Sequence, residues 1–522
     1  MSIVESQEFE YLELIHLSHQ FDRLSENVTQ NYEPLNQIAI QSLQLMDKYR
    51  ALSPDFDKYI RYLKSQHPNE TELWTKYDSK WAKLITKENE ISINKVEKEV
   101  KEVSNSSSPP PTAEDSVEQL QSFALSDIHE DDVNSSNNQI FNNFKRALQI
   151  NIIGHNFSDN IYLINTYLTI NTIKSHPKDL KQIIDNRYFE LLFFQYYNNL
   201  NEYQSVSKTT NDGYKNPHNH ATTLNILNST YSKANLYYTK VEPIIFKSLK
   251  NGIKLPLEVY YYYLIKFYYL AGLFKELRLH KFNEEFLSLL LNSDGGLSNN
   301  DTNYSLQLLL SLKSLKVYLF SMYGLASIFT KPFKSLSYIN NETVMDILTI
   351  EETGFDYRLY NEVLLPLSKS NFKQAHESLS NPQFILQATS MLYYSLPTNK
   401  RSSTSTGFFQ HINKIIDLKS FLLIISMTKQ ISRSKLFNIL GHDIKDGADV
   451  DSLTSNLLSL IAVLGLGKLG IGYKIEEEMF YNNEENHVED ELQVKLNKVT
   501  NDIYGDSMAT LMKGLLMEKF FS

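Results

Sequence analysis

Two stretches of sequence decide the fold of the C-terminal part of this chain: LKSFLLIISMTKQISRSKLFNIL at residues 418–440 and DSLTSNLLSLIAVLGLGKLGIGYKIEEEMFYNN at residues 451–483. Apolar residues at helical spacing predict an amphipathic helix over 414–427 and a shorter helix over 431–440. Ser432 is a suitable N-cap for the shorter helix, because a serine hydroxyl accepts a hydrogen bond from the backbone of the first turn.

The second stretch begins as a helix and ends as a hairpin. Asp449 or Asp451 is expected to cap this third helix. Its apolar face comprises Leu453, Leu457, Leu460, Ile461 and Leu464. Leu469, Ile471 and Tyr473 then alternate with small or polar residues, which predicts a two-stranded hairpin. Three helices followed by a hairpin is the order of a winged helix, so we predict that fold here.

A long terminal helix is predicted after the hairpin. Its apolar residues recur at spacings of three and four, with Gly505 as an interruption. These residues are Val488, Leu492, Leu496, Val499, Ile503, Met508, Leu511, Leu515 and Leu516. An amphipathic helix of this kind needs a partner surface, because packing rather than propensity supplies most helical stability.

Upstream, residues 139–412 read as one helix after another, separated by polar insertions at 208–223, 293–303 and 397–407. The sequence LEVYYYYLIKFYYLAGLFKELRLHKFNEEFLSLLL predicts a helix, a turn near Ala271-Gly272 and a second helix. The next pair is expected to start at Tyr304. We interpret the pattern as stacked antiparallel helix pairs, since each pair needs neighbours to bury its faces.

The N-terminal part is also predicted to be helical, with Pro34 in the first turn of a helix that buries Leu35 and Ile38. A segment rich in Ser, Pro and acidic residues follows at 103–138. Few of its residues can form a core, which predicts disorder and a domain boundary.

Composition excludes several classes of protein. The 522 residues include no cysteine, so disulfides, thiolate zinc sites and thiol catalysis are excluded. No basic region followed by an apolar run opens the chain, and no apolar stretch approaches 18 residues, so we expect neither secretion nor a membrane span. The net charge of −10 disfavours nucleic acid as the main partner. We expect a cytoplasmic and nuclear protein.

Two motifs invite catalytic interpretations that the sequence does not favour. Gly465-x-Gly467-x-x-Gly470 matches a dinucleotide fingerprint, but a helix precedes it and a strand follows, which is the reverse of what that site needs. His218-x-His220 is the only closely spaced histidine pair that resembles a metal motif, and we place it in a polar loop. We therefore predict no catalytic residues, no cofactor and no metal, and expect a protein that is not an enzyme.

A winged helix can also bind DNA through its third helix. Here that helix, at about 450–464, contains no Lys or Arg, and Glu476, Glu477 and Glu478 flank the hairpin. Such a negative field repels phosphate, so contact with protein is favoured over a nucleic-acid adaptor.

The two quoted stretches resemble the PCI domain, which is shared by the proteasome lid, the COP9 signalosome and translation initiation factor 3. The matching pattern is an apolar helix, a short "is..kL...L" helix, a longer helix ending in an "LI..G.i" turn, and a hairpin. Within this family, the sequence is most similar to the subunit 3 family of the COP9 signalosome, in a divergent yeast-type form. The tyrosine-rich helix and its spacing to the hairpin contribute to that resemblance.

The resemblance implies an all-α fold, in which stacked TPR-like helix pairs (an α-solenoid) lead into a C-terminal winged-helix (PCI) subdomain with a small β-hairpin and a terminal helix. We expect an N-terminal helical region at 1–102, the linker at 103–138, helical repeats at 139–412, the winged helix at 413–486 and a helical tail at 487–522.

The implied function is a non-catalytic scaffold in an assembly that removes Nedd8 from cullins and so regulates ubiquitin ligases. The expected partners are other PCI-domain subunits and a metalloprotease subunit of the same complex, without membrane contact. The proteasome lid and translation initiation factor 3 are the alternative assemblies. The expected partner-contacting side chains are Leu469, Ile471, Tyr473 and Phe480 in the hairpin, and Leu492, Leu496, Val499, Ile503, Met508, Leu511 and Leu515 in the tail.

Overall fold

The structure, a computed structural model, describes most of the chain but not all of it. The described residues are 7–25, 32–68, 72–106, 130–170, 187–209, 217–250, 257–290, 313–336, 354–392, 395–396, 406–442 and 447–483. Over these residues the chain is mostly helical and carries one three-stranded sheet. They form two compact units that divide between Tyr268 and Tyr269. Within the described ranges, no helix is both long enough and apolar enough to cross a membrane.

The N-terminal unit consists of helices, preceded by a 3-10 turn at Gln7–Leu12. The helices are α1 (Glu13–Leu24), α2 (Tyr32–Lys48), α3 (Phe56–Gln66), α4 (Glu72–Thr75), α5 (Ser79–Ser106), α6 (Glu130–Ile153), α7 (Phe157–Ile170), α8 (Tyr188–Thr209), α9 (Pro217–Lys250) and α10 (Leu257–Lys275), within which the division between the units falls.

Tyrosine and phenylalanine rings fill the core of this unit. The rings of Tyr238 and Tyr262 stack with their centroids 3.8 Å apart, and the hydroxyls of Tyr238 and Tyr263 share a hydrogen bond of 2.8 Å. Phe9, at the start of the chain, meets Tyr261 of α10 edge to face with ring centroids 4.9 Å apart. Aromatic side chains thus combine a large buried apolar area with hydroxyls that satisfy one another.

The C-terminal unit begins with helices and ends with the sheet. Its elements are α11 (Leu279–Leu290), α12 (Lys313–Thr330), α13 (Phe333–Leu336), α14 (Phe355–Leu359), α15 (Leu365–Ser368), α16 (Phe372–Ser380), α17 (Pro382–Met391), α18 (Thr406–Met427), β1 (Gln430–Ser432), α19 (Arg433–Leu440), α20 (Gly447–Val463), β2 (Ile471–Lys474) and β3 (Met479–Asn482). A π-helical turn at Tyr360–Leu364 joins α14 to α15, and a 3-10 turn at Leu466–Leu469 joins α20 to β2.

The sheet is antiparallel, with the strand order β1-β3-β2. Ile431 of β1 and Tyr473 of β2 both lie opposite Phe480 of the central strand. Phe480 is fully buried, and its ring lies 5.3 Å from that of Phe421 in α18. Because α18 packs on the sheet through such contacts, the long helix and the sheet share one core.

Several local predictions are confirmed. Ser432 is the N-cap of α19, and its hydroxyl accepts a hydrogen bond from the backbone N–H of Lys435. Pro34 lies in the first turn of α2, where Leu35 and Ile38 are buried. On α20, the predicted apolar residues Leu457, Leu460, Ile461 and Leu464 are buried, and Leu453 is half-buried.

Other boundaries were predicted wrongly. The short helix begins at Arg433, because Ile431 pairs with Phe480 as part of a third strand. Helix α18 begins eight residues before the predicted start at 414. Asp449 and Asp451 lie inside α20, which starts at Gly447, so neither is its N-cap.

The turn expected at Ala271-Gly272 is absent, since α10 continues to Lys275. The turn instead falls around Leu277, whose φ of 57° ends the helix. The predicted start of the next helix, Tyr304, lies outside the described residues, and α12 begins at Lys313.

The segment 103–138 does not separate two compact units. The residues before it and those after it as far as Tyr268 belong to the same unit. Arg146 of α6 donates a hydrogen bond to the carbonyl oxygen of Tyr49, which ties the two sides together. Helices α5 and α6 also extend into the segment from either end, to Ser106 and from Glu130. Residues 107–129 and the tail 487–522 lie outside the described part of the chain.

Candidate assembly interface

The path from α20 into the hairpin depends on glycine. Gly465 and Gly470 flank the 3-10 turn and have φ values of 64° and 75°, a region that residues with a side chain rarely adopt. These two positions belong to the Gly-x-Gly-x-x-Gly motif, which runs from a helix into a strand. The glycines therefore serve the turn that leads the chain into β2.

Gly472 is required for a different reason. Tyr481 lies directly opposite it on β3, and its ring occupies the space where a Cβ on Gly472 would be. An aromatic side chain that lies over a cross-strand glycine covers the backbone and helps to pin the register. This pair fixes which residues of β2 face outward.

Strand β2 is an edge of the sheet. The N–H of Asn483 donates to the carbonyl oxygen of Gly470 at 3.1 Å, which makes these two a hydrogen-bonded pair of the ladder. Such pairs alternate along antiparallel strands, so Gly472 and Lys474 also point their backbone groups at β3. Ile471 and Tyr473 consequently point their N–H and C=O groups away from β3. This outward row is the β2 edge.

The predicted hairpin side chains do not act as one surface. Ile471 and Phe480 are only 1% and 0% exposed, so they belong to the core and are not open to a partner. Tyr473 is half-buried, with its ring centroid 4.6 Å from that of Phe480. The reason is that both strands turn these residues toward α18. The side chain of Leu469 and all seven predicted tail residues lie outside what the structure describes.

Ile475 lies in the turn that follows β2. It was not among the side chains that the sequence predicted to contact a partner. It is 80% exposed, the highest value among the large hydrophobic residues described. Single exposed apolar residues are common on protein surfaces. Ile475 differs because it directly continues the β2 edge, where a partner strand would pass.

Acidic side chains lie near the hairpin, and one arginine forms ion pairs with two of them. Arg433 at the start of α19 contacts Asp451 of α20 at 3.2 Å and Glu478 of the hairpin at 2.9 Å. Lys474 lies 3.5 Å from Glu477. Arg433 thus links the second helix, the third helix and the hairpin.

Helix α18 carries a buried lysine that connects it to the helical part of this unit. The Nζ atom of Lys419 donates to the carbonyl oxygens of Ile328, Phe329 and Lys331 at 2.5, 2.7 and 3.0 Å. These carbonyls lie at the C-terminal end of α12, where backbone acceptors lack helical partners. Burial lowers the pKa of Lys419 to about 7.

A second buried group on α18 is Asp417. Its Oδ1 atom lies 3.0 Å from Nε2 of His376 in α16 and 2.8 Å from Nε2 of His442, which follows α19. Burial acts to raise the pKa of Asp417, but the contacts with the two histidines outweigh it and lower the pKa below its usual value. The carboxylate is therefore ionised in the interior.

Sequence reasoning missed this cluster of His376, Asp417 and His442. Asp417 and His442 are 25 residues apart, and no spacing motif connects the three. The histidine pair that the sequence did single out, His218 and His220, lies in the first turn of α9, not in the expected loop. The side chains of that pair fall outside the description.

Comparison with known proteins gives no family. No protein-family model matches the chain. A search of the curated proteins also finds no match. The functional argument therefore depends on the residues themselves.

Proposed function

We propose that this chain is a non-catalytic scaffold subunit of a PCI-type assembly, with the COP9 signalosome as the first candidate. The observation that carries the proposal is the order of elements in the C-terminal unit. One long helix, a short strand, two helices and a hairpin follow one another, with sheet order β1-β3-β2, and this order supports the proposal of a winged helix. Helices packed side by side precede it, as the sequence resemblance implies for PCI proteins.

In this function the chain positions its partners and performs no chemistry itself. The β2 edge offers the outward N–H and C=O groups of Ile471 and Tyr473, and a partner strand can add to such an edge through backbone hydrogen bonds. The exposed side chain of Ile475 supplies an apolar contact beside that strand. Ile471 and Phe480 contribute indirectly, because their buried side chains fix the two strands of the hairpin in the core.

We also propose that the chain takes part in regulating ubiquitin ligases, and that it does so through its partners. A scaffold in the signalosome supports removal of Nedd8 from cullins, while another chain performs the chemistry. Neighbouring PCI subunits and a metalloprotease subunit are the partners this function requires, in a complex present in cytoplasm and nucleus.

The test is an edge variant with a matched control. Ile475→Lys places a charge beside the β2 edge at a fully accessible position, so the fold should be unchanged while partner recovery in a pull-down falls at least tenfold. Ile91→Lys is the control, because Ile91 is also exposed (60%) but belongs to α5 of the N-terminal unit. Equal recovery of partners by both variants would contradict assembly through this edge.

A further inference from the structure

We propose that His376, Asp417 and His442 form a binding site for a divalent transition-metal ion, for which Zn²⁺ is the probe. The three candidate ligand atoms all lie within 4.8 Å of one another. They come from α16, from α18 and from the residue that follows the C-cap of α19, all within the C-terminal unit. The site does not depend on the proposed scaffold function.

Contacts on the far side of its ring orient His376. Its Nδ1 lies 3.0 Å from Oδ1 of Asn413, and the other end of that amide donates to the hydroxyl of Ser380 at 3.3 Å. This contact uses Nδ1 and leaves Nε2, the other ring nitrogen, on the side of Asp417.

Nε2 of His376 faces a carboxylate. This buried nitrogen lies 3.0 Å from Oδ1 of Asp417, inside the cluster. The contact of Nδ1 with Asn413 is the kind of outer contact that orients histidine ligands of metals.

A glycine brings the third ligand into place. Gly441 is the C-cap of α19, with a φ of 88°, and a Cβ there would lie 2.5 Å from Cα of Lys373 in α16. The end of α19 can therefore lie directly on α16, which places the ring of the next residue, His442, 5.2 Å from that of His376. The side chain of His442 is 37% exposed, so an ion can reach the site from solvent.

The ligand set suits zinc. Two imidazole nitrogens and one carboxylate oxygen are ligands that zinc takes, with water or another group in the fourth position. With bonds of about 2.0–2.1 Å, tetrahedral ligands are about 3.3 Å apart. The distances of 3.0 and 2.8 Å from Asp417 to the two histidines are within a few tenths of an ångström of this spacing, and all three ligand atoms lie within 4.8 Å of one another. A bound ion would cross-link α16, α18 and the end of α19.

The test uses the full chain without a histidine tag, stripped with EDTA and titrated with Zn²⁺ by calorimetry. We expect about one equivalent of Zn²⁺ to bind. His442→Gln should weaken binding at least tenfold while the fold is retained, because this ligand is the most exposed of the three. His411→Gln, on α18 outside the cluster, is the matched control and should leave the affinity unchanged.

A second measurement keeps the test independent of folding. In ¹⁵N NMR spectra of the wild-type chain, the Nε2 resonance of His376 should shift when Zn²⁺ is added. Absence of Zn²⁺ binding, equal affinity in wild type and His442→Gln, or a His376 resonance that does not respond to Zn²⁺ would each overturn the proposal and leave a hydrogen-bonded triad.

Discussion

The N-terminal and C-terminal units both bury an ionisable side chain against the end of a neighbouring helix, but the charged forms of the two groups have opposite sign. In the N-terminal unit, Oε2 of Glu258 accepts hydrogen bonds from the backbone N–H groups of Phe189 and Glu190 at 2.8 and 3.1 Å, in the first turn of α8. In the C-terminal unit, Lys419 donates to three carbonyls at the end of α12. Each charge matches the sign that the helix end favours.

The two groups differ in what surrounds them. Burial, together with the charge of Glu190, raises the pKa of Glu258 to about 8. Burial alone lowers the pKa of Lys419 to about 7. In both cases desolvation favours the neutral form more than the helix end favours the charged one. These contacts therefore fix helix positions and make stability depend on pH, without adding a large ionic stabilisation.

The largest expected effect concerns the sheet of the C-terminal unit. Phe480→Ala removes a fully buried ring that contacts Phe421 and Tyr473, and should lower the free energy of unfolding by about 3–5 kcal/mol. Urea denaturation followed by circular dichroism measures it. Ile475→Ala, on the exposed turn of the same hairpin, should change stability by less than about 0.5 kcal/mol. A small effect of Phe480→Ala would show that the sheet is not part of the core.

Lys419→Met should destabilise the C-terminal unit by about 2–4 kcal/mol, because it leaves three buried carbonyls without a donor. In the wild type, stability should rise between about pH 7 and the usual lysine pKa near 10.5, since there the unfolded state binds more protons. The variant should lack that rise. Lys414→Met, exposed on the same helix, is the control, and an equal loss of stability in both variants would refute the role of Lys419.

The opposite pH dependence is expected from Glu258. Its pKa is raised on folding, so its contribution is complete below about 4.5 and is lost as the pH rises through about 8. Glu258→Gln keeps an acceptor for the α8 backbone and cannot ionise. Denaturation curves should show that the variant loses less stability than the wild type between pH 5 and pH 8.5. Parallel curves would mean that Glu258 stays charged throughout.

The smallest effect is expected at the surface of the C-terminal unit. Arg433→Ala removes the contacts with Asp451 and Glu478, whose side chains are largely exposed. Exposed ion pairs contribute about 0–1 kcal/mol, so thermal denaturation should shift little, and less still in high salt. If Arg433→Ala lowered the free energy of unfolding as much as Lys419→Met does, Arg433 would be needed for the stability of the fold.

Sequence reasoning predicted the parts of the fold that local chemistry determines. Ser432 was found as an N-cap because its residue type and position suffice, and the apolar face of α20 followed from its spacing. Strand β1 was missed because three residues show no periodicity and Ile431 fits either structure. Gly272 suggested a turn, yet it lies inside α10 with open space where its Cβ would be, so the helix tolerates it.

The candidate sites depend more on tertiary contacts. Ile471 and Tyr473 alternate with small or polar residues along β2, but alternation does not say which face of the sheet is buried. The buried polar contacts of α18 join residues that lie far apart in sequence, namely Asp417, Lys419 and their partners. These residues meet only through packing, so no sequence pattern identifies them. Ile475 was missed because exposure in a turn is a property of the folded hairpin.

The central claim, that this chain is an assembly scaffold, is tested most directly by mild affinity purification of the tagged chain from its native cells, followed by mass spectrometry of everything that remains bound. The account predicts recovery of other PCI-domain subunits, a chain with a metalloprotease motif, and cullins. Proteasome or initiation-factor components would keep the scaffold role and change the assembly. Recovery of the chain alone would contradict the account.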